Sequence, residues 1–558
     1  MIGTQILKNS PVPAGGEKLF SAESAQAVDT QAYSWGFDPF ALVEAAGRCC
    51  ARVFTGAFPA LFSGSPSSGN PRGFPRIVVA VGSGNNGADA MVMLRALILE
   101  GYAAPTAVAV VINRLSGNGE HTPRSEALRV LGAMGVPVYP WQEGNAGKAA
   151  LAGADVIIDG IAGTGLRGPL SAAAGEMAAW IRACKIDAGD TSGGPRSPLV
   201  VSVDIPSGNF DRYEPSMPII GADLTLAIDP KKMCLYAPAA RPFAGKILSV
   251  GGVFPPGLMQ AFEGPELLTW REAAGRLPPI PPDAYKYERG LAEIRAGSVG
   301  RAGAARIAAR GAQAAGAGIV RLLVDEALYP VLAASSGGIM VVPARENSTG
   351  IPDSGGETPE TDPPEAGRFC PDAVLLGPGW GRSPQRLPVL QQAVAREAAG
   401  TPIVLDADAI ALARDITFHG TAILTPHLGE FAAFTGVPKE KILSNAVFIA
   451  AETARNIGAV ILLKSHVLII AAEDGRVGIV DGMVPVLAAG GSGDLLAGFC
   501  VAIAARMKRR GAYDGYTCAV AAAALLVETG GAPDMAHRFI DPLDLAEKAA
   551  ALAGAAWL

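Results

Sequence analysis

The sequence predicts two α/β domains, on three grounds. The first is length: 558 residues exceed the ~250–300 at which a single hydrophobic core stops growing and a chain divides. The second is pattern, because short Val/Ile/Leu runs alternate with longer Ala-rich stretches, as in IVVAV (77–81) followed by DAMVMLRALILEG (89–101). Unbroken apolar runs are what the strands of a parallel sheet look like when helices cover both faces. The third is that a glycine-rich turn opens an apolar helix once in each half, in VGSGNNGADA after IVVAV and in AAGGSGDLLAGF (488–499). With 49% hydrophobic and 18% charged residues, the chain can bury large cores and lies far from the disordered class.

Along the chain, further strands are expected at TAVAVVI (106–112), DVIIDG (155–160), LVVSVDI (199–205), DLTLAI (223–228), DAVLLG (372–377), PIVLDA (402–407), TAILT (421–425) and AVILLK (459–464). Three stretches rich in Gly, Pro, Ser and acids interrupt the rhythm, at 63–75, 187–198 and 345–367, and are expected as exposed insertions. Prolines break the pattern again in ELLTWREAAGRLPPIPPDAYKYERG, which sets the expected domains at 1–262 and 263–558. No internal repeat is visible.

A formal charge of -6 gives no electrostatic reason to invoke nucleic acid or an anionic membrane surface, and no nucleic-acid motif is present. The most apolar stretches, such as Cys518 to Val527, fall short of the ~20 residues of a membrane helix and read as buried helices. The cysteines are Cys49, Cys50, Cys184, Cys234, Cys370, Cys500 and Cys518, an odd number without a CxxC pair. Buried thiols in a reducing cytosol are expected rather than a disulfide framework or a zinc site. The first residues hold no apolar run of signal-peptide length, so a cytoplasmic protein is expected.

In the N-terminal half, Gly82, Gly84 and Gly87 satisfy GxGxxG spacing between strand and helix. Such a loop turns backbone N–H groups and a helix N-terminus toward an anion, a seat for a pyrophosphate. By itself the spacing marks only a strand–turn–helix unit. A dehydrogenase would place an acid at the end of the next strand to hold a ribose, but TAVAVVI ends in Asn113 and Arg114, which counts against that reading. The distinctive feature is the Asn85-Asn86 pair, whose amide oxygens suit a hard monovalent cation or a ribose. Asp159 in VIIDGIAGTGLRGP, and Asp204 and Ser207 in VSVDIPSGNF, add oxygens at other strand ends, where ligands of open α/β sheets gather.

GSGNNGADA, IDGIAGTGLRGP, DIPSG, ADLTLAIDPKK and the helix segment LVEAAG (42–47) together resemble the NAD(P)H-hydrate epimerase domain over roughly residues 20–255. The resemblance implies a Rossmann-like three-layer α/β/α domain, with Asn86, Asp159 and Ser207 holding a potassium ion. It also implies that Asn85, Asn86, Gly87, Ala88 and Asp89, then Gly163, Thr164, Gly165, Leu166, Arg167, Gly168 and Pro169, and Asp204, surround the hydrated cofactor. Asp159 is the candidate acid/base for inverting the carbon that bears the hydroxyl, since epimerisation moves protons through a ring-opened or dehydrated intermediate. Ala88 and Ala90 stand where the family pattern carries glycines, so methyl groups are expected beside the ligand.

In the C-terminal half, backbone amides of Gly491, Ser492 and Gly493 can stabilise a transferring phosphoryl group, and Asp494 can accept the proton of an attacking hydroxyl. A carboxylate in a first helical turn is equally a common cap. LLGPGWG (375–381), VLDADAI (404–410), LTPHLGEF (424–431) and ILLKSHVLII (461–470), with an opening segment over 285–320, precede this turn in an order similar to the hydrate dehydratases. That resemblance covers about 265–550 and implies a ribokinase-like α/β domain. It implies phosphorylation of the ring hydroxyl by ADP or ATP with Mg2+, then loss of phosphate to restore the reduced cofactor. Asp494 would be the base and Gly490, Gly491, Ser492 and Gly493 the anion hole; Lys464, Ser465, His466, Val467 and Leu468 would contact nucleotide, and Ala304, Gly379, His427 and Glu430 the hydrated nicotinamide or the metal.

Ser465 stands for the usual glycine, Arg301 for a common tyrosine, and Val486 and Ala489 alter the approach to the anion hole. LAEIRAGS is more charged than a buried strand should be. The cluster Arg506, Lys508, Arg509 and Arg510 reads as the solvated end of the helix that begins near Asp494. His121, His419, His466 and His537 lack a site-like setting. The expectation is a homo-oligomeric enzyme acting on hydrated NADH and NADPH as small-molecule substrates, without nucleic acid or membrane as partner. Two alternatives stay open: a ribokinase-like small-molecule kinase with an accessory nucleotide-binding domain, and a cofactor-binding protein in which one half is inactive.

Overall fold

The computed structural model describes residues 15–62, 73–113, 121–186, 197–344, 370–536 and 538–558. Arg114, His537 and nearly all of the three low-complexity stretches lie outside the described residues. The chain separates into two compact units. One is Lys18–Gly264 with Leu443–Asn445, and the other is Pro265–Ile442 and Ala446–Leu558 with the residues up to Glu17.

The first unit carries strands β1 (Ile77–Val81), β2 (Val108–Ile112), β3 (Val138–Pro140), β4 (Val156–Gly160), β5 (Leu199–Val203), β6 (Leu224–Ile228) and β7 (Lys246–Val250). They pair in the order β3-β2-β1-β4-β5-β6-β7, and every pairing is parallel. Its helices include α1 (Ala22–Ser34), α2 (Pro39–Ala57), α3 (Asn85–Leu99) and α4 (Ala172–Ile186). The all-apolar run of β1 follows from burial on both faces. Ile77, Val79 and Val81 pack with Leu42 and Phe54 of α2 and Met91 and Leu94 of α3. Val78 and Ala80 point the other way, onto Met177 and Ile181 of α4, as a period-2 strand requires. The chain order reverses between β1 and β4, and the loops leaving these two strands open the crevice where an open α/β sheet binds its ligand.

The second unit carries β8 (Glu266–Leu267), β9 (Leu291–Arg295), β10 (Ile319–Asp325), β11 (Met340–Ala344), β12 (Ala373–Leu376), β13 (Ile403–Leu405), β14 (Ala422–Leu424), β15 (Val460–Leu463), β16 (Val467–Ala471) and β17 (Val477–Asp481). Their order is β8-β17-β16-β15-β14-β13-β12-β9-β10-β11. Pairings from β11 across to β15 are parallel; β16 runs antiparallel to both its neighbours. Helices α5 (Ala302–Ala314), α6 (Leu428–Thr435), α7 (Ser492–Arg509), α8 (Gly515–Gly531) and α9 (Pro542–Trp557) complete the layers used below. The apolar stretch from Cys518 lies in α8 and is buried as far as Leu526. No helix among the described residues is long and apolar enough to cross a membrane.

Two expectations for this unit are corrected by packing. The charged strand LAEIR is buried after all: Glu293 is 2% exposed, and its carboxylate takes Arg295 at 2.9 Å and Arg321, its register partner on β10, at 2.6 Å. A buried charge is tolerated when paired and hydrogen-bonded in this way. Arg506 is not part of a solvated helix end, unlike the exposed Lys508, Arg509 and Arg510. It is 1% exposed and its guanidinium lies 4.2 Å from the centre of the Trp557 ring, because α7 is enclosed along nearly its whole length.

Candidate functional site

The first unit encloses a cavity of about 600 Å³ at the C-terminal ends of β1 and β4. Gly82 makes this possible: a Cβ there would fall 1.7 Å from the Ile161 carbonyl oxygen, so the loops leaving β1 and β4 meet only over a glycine. Asn85, Asn86, Asp89, Gly163, Thr164, Gly165, Leu166 and Asp204 line the cavity, as the sequence predicts. Gly87 and Ala88 lie buried beneath it. The methyls of Ala88 and Ala90 do not face the cavity. Both are 0% exposed and belong to the core under α3. Arg167 bonds Gln26 and the Thr164 carbonyl, which anchors the Gly163–Pro169 loop to α1.

Asp159 is not at the cavity surface. It is 0% exposed, and its oxygens accept from Ile161 N at 3.2 Å, Ser202 Oγ at 2.8 Å, and Ser207 N and Oγ at 2.9 and 2.5 Å. Burial pushes its carboxyl up, and these four hydrogen bonds pull it partly back. Ser207 Oγ also bonds the Ala162 carbonyl at 3.1 Å, and Asn86 Nδ2 donates to that same oxygen at 3.0 Å. Asn86 Oδ1 is left buried without a partner among the described residues. An orphaned amide oxygen beside a carboxylate and a hydroxyl is a donor set for a hard monovalent cation, so Asn86, Asp159 and Ser207 fit potassium.

Sequence reasoning did not single out Lys232 or α1. Lys232 is 4% exposed; its ammonium lies 2.5 Å from Asp204 Oδ1 and donates to the Ile228 carbonyl at 2.9 Å. Helix α1 turns Gln26, Asp29, Thr30 and Tyr33 to the cavity while Ala25, Val28 and Ala32 are buried. The i, i+3, i+4, i+7 spacing of those polar residues was the available signal.

In the second unit, α7 begins at Gly491, in the left-handed region at φ 96°, with Asp494 in the first turn. A second cavity of about 310 Å³ is bordered by Lys464, Ser465, His466 and Leu468 on one side and Ser492 and Gly493 on another, with Met483, Leu487 and Leu526 supplying apolar wall. Val467 is 0% exposed and points into the core, since alternate residues of β16 face opposite ways. Ser465 closes its own turn, with Oγ 2.5 Å from the Val467 carbonyl and accepting from Val467 N at 3.1 Å. Arg301 pairs with Asp408 at 3.1 Å.

Lys464 is committed to Asp406, Nζ to Oδ1 2.6 Å, and Thr425 Oγ1 donates to the same oxygen at 2.8 Å. Lys464 Nζ also sits 3.3 Å from where a Cβ on Gly493 would be, so glycine lets the ammonium approach the head of α7. Burial pushes the Asp494 carboxyl up to about 6, Asp406 and Glu430 adding to the effect and Lys464 opposing it. His427 caps α6: its Nδ1 accepts from Gly429 N at 2.9 Å and Glu430 N at 3.2 Å, and Glu430 returns a carboxylate to His427 N at 2.9 Å. An accepting Nδ1 puts the ring proton on Nε2, 3.3 Å from Glu430 Oε1. Gly379 and Ala304 come together at the β9/β12 switch point; a Cβ on Gly379 would stand 3.0 Å from that of Ala304. The remaining histidines hold other places: His419 bonds Glu397 at 3.0 Å, and His121 lies 5.0 Å from the Phe40 ring.

The two non-glycine residues at positive φ among the described residues are Asp204 at 66° and Ala407 at 47°. Both stand just past strand ends beside these sites, where backbone strain is characteristically held.

A family model described as YjeF-related protein N-terminus matches residues 39–234, and one described as NAD(P)H-hydrate dehydratase matches 292–549. The chain is similar to the bifunctional NAD(P)H-hydrate repair enzyme Nnr of Salinibacter ruber, 30% identical and covering 88% of each chain. It is similar to the same-named enzyme of Moorella thermoacetica at 31% identity, over 77% of this chain and 78% of that one. Among solved structures, an ADP/ATP-dependent NAD(P)H-hydrate dehydratase from Bacillus subtilis covers 50% of this chain and 95% of its own, at 24% identity and TM-score 0.42.

Proposed function

From the premise that the chain belongs to the bifunctional NAD(P)H-hydrate repair enzymes, we propose that it both epimerises hydrated NADH and NADPH and returns the hydrate to the reduced cofactor at the expense of ADP or ATP. The N-terminal unit carries the first reaction and the C-terminal unit the second. One observation carries the reading: each unit sets a helix opened by a glycine turn against a cavity lined by a lysine that is paired with an aspartate, Lys232 with Asp204 and Lys464 with the buried Asp406.

In the C-terminal unit, nucleotide lies in the cavity bordered by Lys464–His466 and the apolar wall. First-turn amides of α7 have no carbonyl of their own helix to bond, and they meet the charge that grows on the transferring phosphoryl group. The Ser492 amide is already drawn to the Ala489 carbonyl at 3.3 Å and the Leu495 amide to the Gly491 carbonyl at 3.0 Å, so the Gly493 and Asp494 amides carry this role. Asp494 takes the proton of the ring hydroxyl as its oxygen forms the new bond to phosphorus and the nucleotide leaves. Loss of phosphate and of a proton from the neighbouring carbon then restores the double bond. Among the described residues no group of three or more His, Cys, Asp or Glu forms a metal cage, so Mg2+ would come with the nucleotide phosphates, which it neutralises. His427 Nε2, Glu430, Gly379 and Ala304 face the hydrated nicotinamide.

In the N-terminal unit, Asn86, Asp159 and Ser207 would hold potassium, which supplies positive charge beneath the cavity. The buried, fully hydrogen-bonded setting of Asp159 favours this holding role over proton transfer to substrate. Seven cysteines that form no disulfide among the described residues favour the cytoplasm, and a homo-oligomer is the expected assembly.

The test incubates the full chain with both epimers of NADH hydrate and either ADP or ATP. Complete recovery of NADH absorbance is expected. A plateau near the fraction of one epimer removes the epimerase, and a stable phosphorylated product without NADH turns the C-terminal half into a small-molecule kinase.

A further inference from the structure

We propose that Asp29, on helix α1, is a catalytic residue of the epimerase half: its carboxyl gives the proton with which the hydroxyl leaves the hydrated ring. This rests on the epimerase reading above. Helix α1 is docked by Gln26 Nε2 on the Thr164 carbonyl at 3.1 Å and by Ala22 N on Asp211 Oδ2 at 2.7 Å. That places Asp29 on the cavity wall with Asp89, Asp204 and Lys232.

These groups differ in what binds them. Asp204 is pinned at 2.5 Å by Lys232, whose ammonium is also shared with the Ile228 carbonyl, so it is committed as half of an ion pair. Asp159 has no surface on the cavity. The carboxyl of Asp29 makes no hydrogen bond to the described residues, while it lines the cavity. Burial pushes it up to about 6, opposed by Lys232 and assisted by the negative Asp204. A nearby carboxyl, Asp89, is raised for the same reasons, but it stands in α3, the helix whose N-terminal loop is the seat for phosphate. The other titratable groups in this field are Tyr33 and Cys50, both held in their neutral forms.

The chemistry needs such an acid. Hydration of the enamine of a dihydronicotinamide puts the hydroxyl on the carbon next to the ring nitrogen. Asp29 protonates that hydroxyl, the nitrogen lone pair closes a C=N bond, and the C–O bond breaks with water leaving. Water then adds to the opposite face of the cation. Its proton returns to the carboxylates of the cluster, which end with the proton they began with, and nothing is oxidised or reduced.

The experiment follows equilibration of purified epimers by the full chain without nucleotide, for wild type, Asp29→Asn and Asp29→Glu. Wild-type kcat/KM should fall as pH rises above about 6, the value for Asp29, because the protonated form of the free enzyme is the active one. Asp29→Asn should lose roughly 100-fold in kcat with KM nearly unchanged and no break near that pH; Asp29→Glu should recover part of the rate and the break. Nucleotide-driven dehydration of the S epimer by the same Asp29→Asn protein, at the wild-type rate, shows that the C-terminal unit is folded, and wild-type hydrogen-exchange protection over residues 77–112 shows that the N-terminal unit is. Wild-type kcat and pH profile in Asp29→Asn overturn the assignment, as does loss through KM alone. A wild-type protein that does not equilibrate the epimers overturns the epimerase reading instead.

Discussion

Asp494 sits one residue past the glycine that lets Lys464 approach, and the field of two negative neighbours, Asp406 and Glu430, acts on it, offset by Lys464. A carboxyl raised from 3.8 to about 6 acts on stability and on catalysis with opposite signs. For stability, the protonated form suits the folded protein, so its contribution is fully present below the unfolded value near 3.8 and is lost as pH rises through about 6. For catalysis, a base must be ionised, so kcat/KM for dehydration should rise through the same range. Asp494→Asn is expected to lose at least roughly 100-fold in kcat. In denaturant melts it should also lose less stability than wild type between pH 5 and pH 8. Measuring NADH recovery from the S epimer across pH checks the first, and an unchanged rate in the variant removes Asp494 as base. If Asp29 works as the acid of the other half, the two activities of one chain have opposite pH limbs.

At the scale of the element, α7 is where packing sets the terms. A Cβ on Gly498 would fall 2.2 Å from the Ala308 carbonyl oxygen, and one on Gly311 of α5 would fall 2.6 Å from the Leu495 carbonyl oxygen. Backbones of α5 and α7 therefore touch, which is why α5 is built from Ala305, Ala308, Ala309 and Ala312 rather than Leu. The close seam fixes the head of α7 over its cavity. At its other end, Arg506 is enclosed with all three guanidinium nitrogens unpartnered among the described residues, and its pKa is pushed down to about 10 by burial. A buried charge without a hydrogen bond costs more than stacking on an indole returns. Arg506→Met should leave the fold intact and raise stability by about 1–3 kcal/mol, read from urea melts. A loss instead means that the stack on Trp557 dominates. Charge counting on the sequence put Arg506 with Lys508–Arg510, since helix-end basicity is visible there and enclosure by Trp557, more than fifty positions on, is not.

For the whole molecule, the prediction concerns which unit answers which ligand. With ADP or ATP and Mg2+ added to the full chain, hydrogen exchange should slow over residues 464–468 and 483–496, which border the smaller cavity, and stay unchanged over 83–89 and 161–166, which border the larger one. NADH hydrate without nucleotide should protect the latter. Slowing over 83–89 by nucleotide alone would mean that the N-terminal crevice is itself a nucleotide site.

Sequence by itself determined the two-domain α/β class, the strands named from unbroken apolar runs, and the glycine turns at both helix heads, because these are local: a strand buried on both faces must be apolar throughout, and a loop that meets another backbone must carry glycine. Through resemblance it also pointed to Asn85, Asn86, Asp204, Lys464 and Gly493, which do line the cavities. Only the tertiary structure decided what each side chain is free to do. Asp159 and His427 look alike in sequence, polar residues at strand ends, yet one is sealed under four hydrogen bonds and the other caps a helix with a ring that stays largely exposed. Ala88 and Ala90 stand in a ligand loop and point into the core. Lys232 and Asp29, distant in sequence from every glycine motif, reach the cavity because β6 and α1 fold back to it. Burial, partner count and the field of neighbouring charges depend on which distant segments meet, and no local pattern along the chain records that.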